Sequence, residues 1–396
     1  MITSVTIQSF KSLEDVTIEL GNLNVFVGAN GAGKSNLLEA IGVLSAAADG
    51  KVTDQTLLQR GVRPGVPRLY KSAFPSPDKR LLSHIYFSGR SDLAHYDVSL
   101  NNPLNDPSPA WRFKTELLER GSEKITSRGP NMRDKPNTEH GLAALRLVTL
   151  EEGDPAQELM RRLQGYVIYS PNTPVLRGVS PETQPRSPLG LSGGGLPEAV
   201  RDLIKLRDQS QFADNICREA RSLIDWASSF GYAPANTLSL SPAASASARV
   251  IKFKDRYMRP DRNILSGYDA SEGALYILFL AVLAAHAKTP SFFAIDNADH
   301  GLNPGLAKDL FRHFSNWISE SADHRQILMT SHNPAVLDGL PLQDDRVRLF
   351  TVDRDNRGKT VVRRVVINQK LLDMSAKGWT LSRLWTNKFI GGMPDV

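Results

Sequence analysis

Eight consecutive residues, Gly28-Ala29-Asn30-Gly31-Ala32-Gly33-Lys34-Ser35, constrain this chain more than any other stretch, because they fit the pattern G-x-x-x-x-G-K-[ST]. The apolar run "LNVFV" precedes them, and Leu37, Ile41 and Leu44 follow at i, i+4, i+7, so the glycines join a predicted strand to a predicted helix. Glycines in such a turn let successive N–H groups face inward at a helix N-terminus, where an anion is stabilised. The expected cradle is Asn30, Gly31, Ala32, Gly33, Lys34, Ser35 and Asn36. Lys34 would reach the β- and γ-phosphates of a nucleotide, and the Ser35 hydroxyl would bind Mg2+.

The rest of the composition sets bounds around that loop. With 396 residues, 41% hydrophobic and 23% charged, the chain can bury a large core, which excludes disorder throughout. The longest apolar run, "ALYILFLAVLAAHA" from Ala274 to Ala287, falls short of the roughly 18 residues a membrane span needs and reads as a buried helix. No basic region followed by an apolar one opens the sequence, so a cytoplasmic protein is expected. Cys217 is the only cysteine, which excludes an internal disulfide and a cysteine-based zinc cluster. A net charge of +6 permits contact with nucleic acid without requiring it.

Along the chain, "SVTIQSF" and "VTIEL" alternate as a hairpin, and "HIYFSG", "HYDVSL" and "WRFKTELL" read as an antiparallel meander. Gly121 to His140 is polar, basic and turn-rich, hence an expected exposed loop, and Ser170 to Leu196 an irregular connection. Helical periodicity covers Glu198 to Phe230. Beyond Ala274, helices alternate with strands at Phe292 and "QILMT", ending in the hairpin "RVRLFTVDRDNRGKTVVRRVV". Such alternation argues an α/β fold whose sheet has parallel strands at its centre. Three regions are expected: 1–120 with the phosphate loop and an antiparallel β lobe, 121–248 as a loop-rich and helical insertion, and 249–396 completing the domain.

Other residues narrow the class of phosphate loop. A GTPase needs N-K-x-D, and Asn387-Lys388 has Ile390 where the aspartate should stand. Ser271-Glu272-Gly273 opens the apolar helix, so its serine and glycine sit at a helix N-terminus suited to an anion. The strand "FFAI" then runs into Asp296, and "QILMTSH" ends on His332. A Ser-x-Gly helix start, an Asp-ending strand and a strand-ending His, in this order after a P-loop, resemble the ABC-type ATPases of the SMC, RecF and OLD group. The resemblance spans "VTIQSFKSLEDVTIEL", "VGANGAGKSNLLEAI", "ASEGALYILFLAVL", "FFAIDNADHGLNP" and "MTSHNPAVL", and is loose between, around "YVIYSPNTPVLRG".

The resemblance implies an ABC-ATPase-type P-loop NTPase fold, a mixed sheet with a parallel centre plus an antiparallel β lobe, with ATP and Mg2+ as ligands. It implies a head-to-tail dimer in which Ser271 and Gly273 contact the γ-phosphate of ATP held by the partner chain. Asp296 would organise Mg2+, Gly301 to Pro304 would cross the interface, and His332 would sense the γ-phosphate. Members of the group usually read Asp-Glu-Pro-Glu where this chain reads Asp296-Asn297-Ala298-Asp299. The first glutamate polarises the attacking water, and loss of a general base costs about 10²–10⁴-fold in rate. Asn297 can hydrogen-bond a water but cannot take its proton. Asp299 and His300 stand nearby as substitutes.

The expectation is therefore a switch that binds ATP, dimerises or assembles further around it, and hydrolyses it slowly or on a partner's signal. Its nucleotide state would couple to DNA or to a separate effector, by analogy with compact defence ATPases that act with a companion nuclease. A non-catalytic ATP-locked scaffold and a RecF-like repair ATPase are the alternatives. Three further stretches carry two readings each. Arg249 to Asn263 interleaves basic residues with Phe253 and Tyr257, either a nucleic-acid strip or a plain strand. Asp353-x-Asp355 is either a metal-binding pair of the TOPRIM kind or a hairpin with a polar turn. The cluster Trp379, Leu381, Leu384, Trp385 and Phe389 is either a docked terminal helix or a partner site.

Overall fold

The computed structural model describes residues 1–74, 84–129, 132, 136–241 and 248–391. The chain opens with the antiparallel pair β1 (Ser4–Phe10) and β2 (Leu13–Glu19), then runs through β3 (Leu23–Val27) into α1 (Lys34–Ala48). Two short helices, α2 (Asp54–Leu58) and α3 (Pro67–Tyr70), lead to β4 (Ile85–Arg90), β5 (Ala94–Asn101), β6 (Arg112–Arg120) and β7 (Glu123–Arg128). Next come α4 (Leu142–Arg146), α5 (Pro155–Gly165), β8 (Ile168–Tyr169), α6 (Thr173–Leu176), α7 (Leu196–Arg207) and α8 (Gln211–Leu223). Strands β9 (Ala227–Pro234), β10 (Arg249–Asp255) and β11 (Ile264–Ser266) precede α9 (Glu272–Ala285). The remainder is β12 (Phe292–Ile295), α10 (Pro304–Glu320), β13 (Gln326–Ser331), β14 (Val347–Arg354), β15 (Thr360–Val365), α11 (Gln369–Ala376) and α12 (Leu381–Thr386).

The central sheet has the order β15-β14-β3-β13-β12-β8 and is parallel except for the β14–β15 hairpin. Strands β3, β12 and β13 are buried along their whole length, as strands covered on both faces must be. Residues alternate between two cores. Leu23, Val25 and Val27 face a core built with α7 to α10, whereas Phe26 faces one built with α1, α5 and the antiparallel lobe β2-β1-β4-β5-β6-β7. Polar residues in the buried strands have dedicated partners. Asn24 bonds the Gly21 and Ile327 carbonyls, and Gln326 bonds those of Ile2 and Gly21, which fastens the first strand to the central sheet.

The α/β architecture, with its parallel centre, antiparallel lobe and short helical segment, agrees with the sequence. Two local expectations fail, and one open choice is decided. Gly121 to His140 is not all exposed loop, because β7 occupies Glu123–Arg128. Its last residue, Arg128, is buried and donates to the carbonyls of Pro136 (3.3 Å), Asn137 (3.2 Å) and His140 (2.6 Å), folding the following chain around itself. The helical period read as far as Phe230 stops at Leu223, and Ala227 begins a strand. Phe253 is wholly buried on β10 and has no free face for a base. The plain-strand reading of Arg249–Asp255 is therefore correct.

The Asp353-x-Asp355 stretch is a hairpin: Asp355 Oδ1 accepts from the N–H groups of Arg357 (2.9 Å) and Lys359 (2.8 Å), and Asp353 pairs with Arg363. In the C-terminal cluster Leu384 and Trp385 are buried, and Ser382 anchors α12 on Asp338. Phe389 stays exposed against Trp379, and residues beyond Gly391 lie outside the described ones. Among the described residues no helix is long and apolar enough to cross a membrane.

Candidate functional site

The site stands at the C-terminal ends of the parallel strands. At the end of β3 the loop must turn against β14, and a Cβ on Gly28 would lie 2.2 Å from the Val352 carbonyl oxygen. Gly33 holds φ 115 and caps α1 without any side-chain hydrogen bond, which leaves the first-turn N–H groups of that helix available to an anion. A Cβ there would fall 2.1 Å from Thr360 Oγ1. Lys34 is buried and folds back over the loop, Nζ donating to the carbonyls of Gly28 (2.7 Å) and Ala29 (2.9 Å). Burial pushes its ammonium down to about 8, against the attraction of Asp296 and Asp299.

The outer side of the loop is braced by the β14–β15 hairpin. Thr360 Oγ1 donates to the Ala32 carbonyl at 2.7 Å, and Arg354 Nε to that of Gly31 at 2.9 Å. Asn36 Nδ2 donates to Ser12 Oγ at 2.8 Å, which Thr360 also reaches at 2.7 Å, so the β1–β2 turn joins the brace. Asn30 is exposed at the loop's tip.

Across from the loop, Ser35 Oγ donates to Asp296 Oδ2 at 3.0 Å and lies 3.3 Å from Oδ1. Thr330, on β13 between them, donates its hydroxyl to Asp296 and accepts the Asn297 N–H at 2.8 Å. Asn297 sits in the left-handed region at φ 54, a conformation asparagine tolerates better than most residues, and its side chain is exposed. Asp299 Oδ1 accepts the His332 N–H at 3.1 Å. Lost hydration and the charge of Lys34 lower the His332 imidazole from its ordinary value, while Asp299 and Asp296 oppose the shift.

The donor set suits Mg·ATP. Mg2+ keeps several waters and takes one or two protein oxygens plus phosphate oxygens, and Ser35 and Asp296 offer one hydroxyl and one carboxylate side by side.

Ser271 and Gly273 stand in a different environment. Ser271 Oγ caps α9 through the Ala274 N–H at 3.4 Å. Between them Glu272 accepts a hydrogen bond from Thr173 and faces His300 Nε2 at 3.3 Å. Gly273 packs on Leu306 and near the Gly301 carbonyl, so the segment leans on the loop Gly301 to Pro304 of its own chain. Neither Ser271 nor Gly273 hydrogen-bonds the phosphate loop among the described residues. His300 is turned to Glu272, and the Asp299 carboxylate lies on the Lys34 side.

Sequence reasoning missed Thr330, Thr360, Arg354 and the buried Glu39, which pairs with Lys11 and Arg63 one turn along α1 from Ser35. The available signal for Thr330 was a polar residue just before Ser331-His332 in an apolar strand.

Comparison with known proteins agrees with this fold. Residues 1–85 match the family model described as "AAA ATPase domain", and residues 194–338 match that described as "AAA domain, putative AbiEii toxin, Type IV TA system". No curated protein matches the sequence. The fold resembles an SMC head bound to the C-winged helix domain of ScpA, at 14% identity and TM-score 0.55, covering 92% of this chain and 98% of that one. An SMC head domain from Thermotoga maritima aligns at 14% identity and TM-score 0.46, over 92% of this chain and 99% of that one. Fold and site together define a P-loop ATPase of the ABC type. Within that class, the chain is similar in fold to the SMC head and in the two matched stretches to AAA ATPase domains.

Proposed function

We propose that this protein is an ATP-held switch. Two copies close head to tail around two Mg·ATP, each supplying Lys34, Ser35 and Asp296 to one nucleotide and Ser271 and Gly273 to the other. The observation that carries the reading is the Ser35–Asp296–Thr330 network beside an uncapped helix N-terminus. The placement of Ser271 and Gly273 against Gly301 to Pro304, away from their own loop, supports recognition in trans.

Asn297 offers no base, so hydrolysis is slow or waits for a partner, and Asp299, tied to His332, supports what turnover there is. When bound, Mg·ATP supplies the charge that the site closes upon. The closed state then signals to a separate effector or to DNA. The match to a domain described as a putative toxin of a type IV TA system, and the likeness in fold to an SMC head bound to a domain of ScpA, support a nucleotide switch with a docked partner. A cytoplasmic place and the division at residues 120 and 248 belong to the same proposal.

Asn297 also favours a second reading, a scaffold that locks ATP without catalysis. Asn297→Glu separates the two: restored turnover dissolves a scaffold's assembly, whereas an enzyme already using Asp299 changes little. Sedimentation with and without Mg·ATP tests the switch itself. ATP should convert monomer to dimer, and Ser271→Arg should block the dimer while ATP still binds. An ATP-independent oligomeric state would contradict the proposal.

A further inference from the structure

The two ends of a nucleotide at this site face different surroundings, and the sheet order tells which is which. Asp296, Thr330 and His332 stand at the ends of β12 and β13, on one side of β3, and β14 lies on the other. A nucleotide whose terminal phosphate points toward Asp296 and Thr330 therefore extends its nucleoside toward the end of β14. That end carries Arg354.

Arg354 is exposed yet held in place. Its Nε donates to the Gly31 carbonyl at 2.9 Å, another guanidinium N–H donates to the Gly358 carbonyl, and the guanidinium carbon lies 5.9 Å from the centre of the Phe74 ring. Gly358, at φ +78, brings the hairpin tip so close to Phe74 that a Cβ would stand 3.2 Å from the ring edge. Neighbouring charges are matched elsewhere, Lys359 with Glu14 and Arg363 with Asp353, and no described carboxylate pairs with Arg354. An immobilised, planar and weakly hydrated cation beside a phosphate loop has the chemistry to stack on an aromatic ring.

We infer that Arg354, backed by Phe74, is the nucleobase platform of the site, with the purine of ATP stacking on its exposed guanidinium face. The inference rests on the reading of the loop as an ATP site. It separates affinity into a phosphate part, held by Lys34 and the helix N-terminus, and a base part, held by Arg354.

Calorimetric titration of the full chain with Mg·ATP and with magnesium tripolyphosphate, which lacks a base, tests it. Arg354→Ala should weaken ATP binding about tenfold more than tripolyphosphate binding, the scale of one lost base stack, because tripolyphosphate feels only the lost brace on Gly31. Arg354→Lys keeps a donor for Gly31 but not the plane, and should lose ATP affinity without losing tripolyphosphate affinity. Equal weakening of both ligands would mean that Arg354 only braces Gly31, and unchanged ATP binding would mean that the base lies elsewhere. Either result overturns the inference. A wild-type chain that binds neither ligand would instead overturn the ATP-site reading beneath it.

Discussion

Ser35 and Asp296 are joined side chain to side chain, Oγ to Oδ2 at 3.0 Å, although 261 positions separate them in sequence. Thr330 closes the link from the strand between them, holding Asp296 with its hydroxyl and the Asn297 N–H with its oxygen. A Thr330→Val variant leaves a carboxylate oxygen and a backbone N–H each short of a partner. It should lower stability by about 1–3 kcal/mol, while Thr330→Ser loses much less. Chemical denaturation of both variants measures the difference.

Lys34 gives the site a pH signature. Free lysine titrates at 10.5, and burial brings Lys34 to about 8. Below pH 8 folded and unfolded chains both carry the charge, and the folded chain bears its lost hydration. Between pH 8 and 10.5 the unfolded chain binds the extra proton, so stability rises with pH in that window. Lys34→Met should therefore stabilise the nucleotide-free protein at pH 7 and do so less at pH 10, as thermal unfolding would register. Phosphate binding favours the ammonium, so wild-type ATP affinity should fall as pH climbs past 8.

Gly33 and Thr360 form a steric pair. Gly33→Ala forces a side chain into φ 115 and against Thr360 Oγ1, with a strain of about 1–3 kcal/mol from the backbone alone. Thr360→Ala in the same chain removes the clash but not the strain, so it should restore part of the lost stability. A double-mutant cycle with no coupling would rule this pairing out.

The stretch Asp296-Asn297-Ala298-Asp299 can be taken apart chemically. Asn297→Glu should raise turnover by about 10²-fold or more if no other base is at work, and cost about 1–2 kcal/mol because glutamate fits φ 54 poorly. Asp299→Asn should reduce the residual turnover and leave ATP binding intact. Single-turnover rates on the three proteins decide which carboxylate the site uses.

Much of this was legible because it is local. The phosphate loop, the apolar α9 and the strand ending on Asp296 each announce themselves within a few residues. What escaped is set by distance or by exposure. Thr360 and Arg354 reach Ala32 and Gly31 only because β14 lies beside β3, which no spacing in the sequence reveals. Strand β7 is an edge strand of the antiparallel lobe, and its polar sequence reads as loop although Arg128 at its end is buried. Ala227–Pro234 is half-exposed, so its apolar residues fit a helical period as well as a strand.

An ATP-held switch must hold ATP for much longer than it takes to bind it. Counting ADP formed per chain over an hour in Mg·ATP, with Lys34→Ala as the blank, tests that directly. About one ADP per chain or fewer is expected, with ATP still bound. Turnover at a typical enzyme rate of about 1 s⁻¹ or more, absent from the blank, would contradict it.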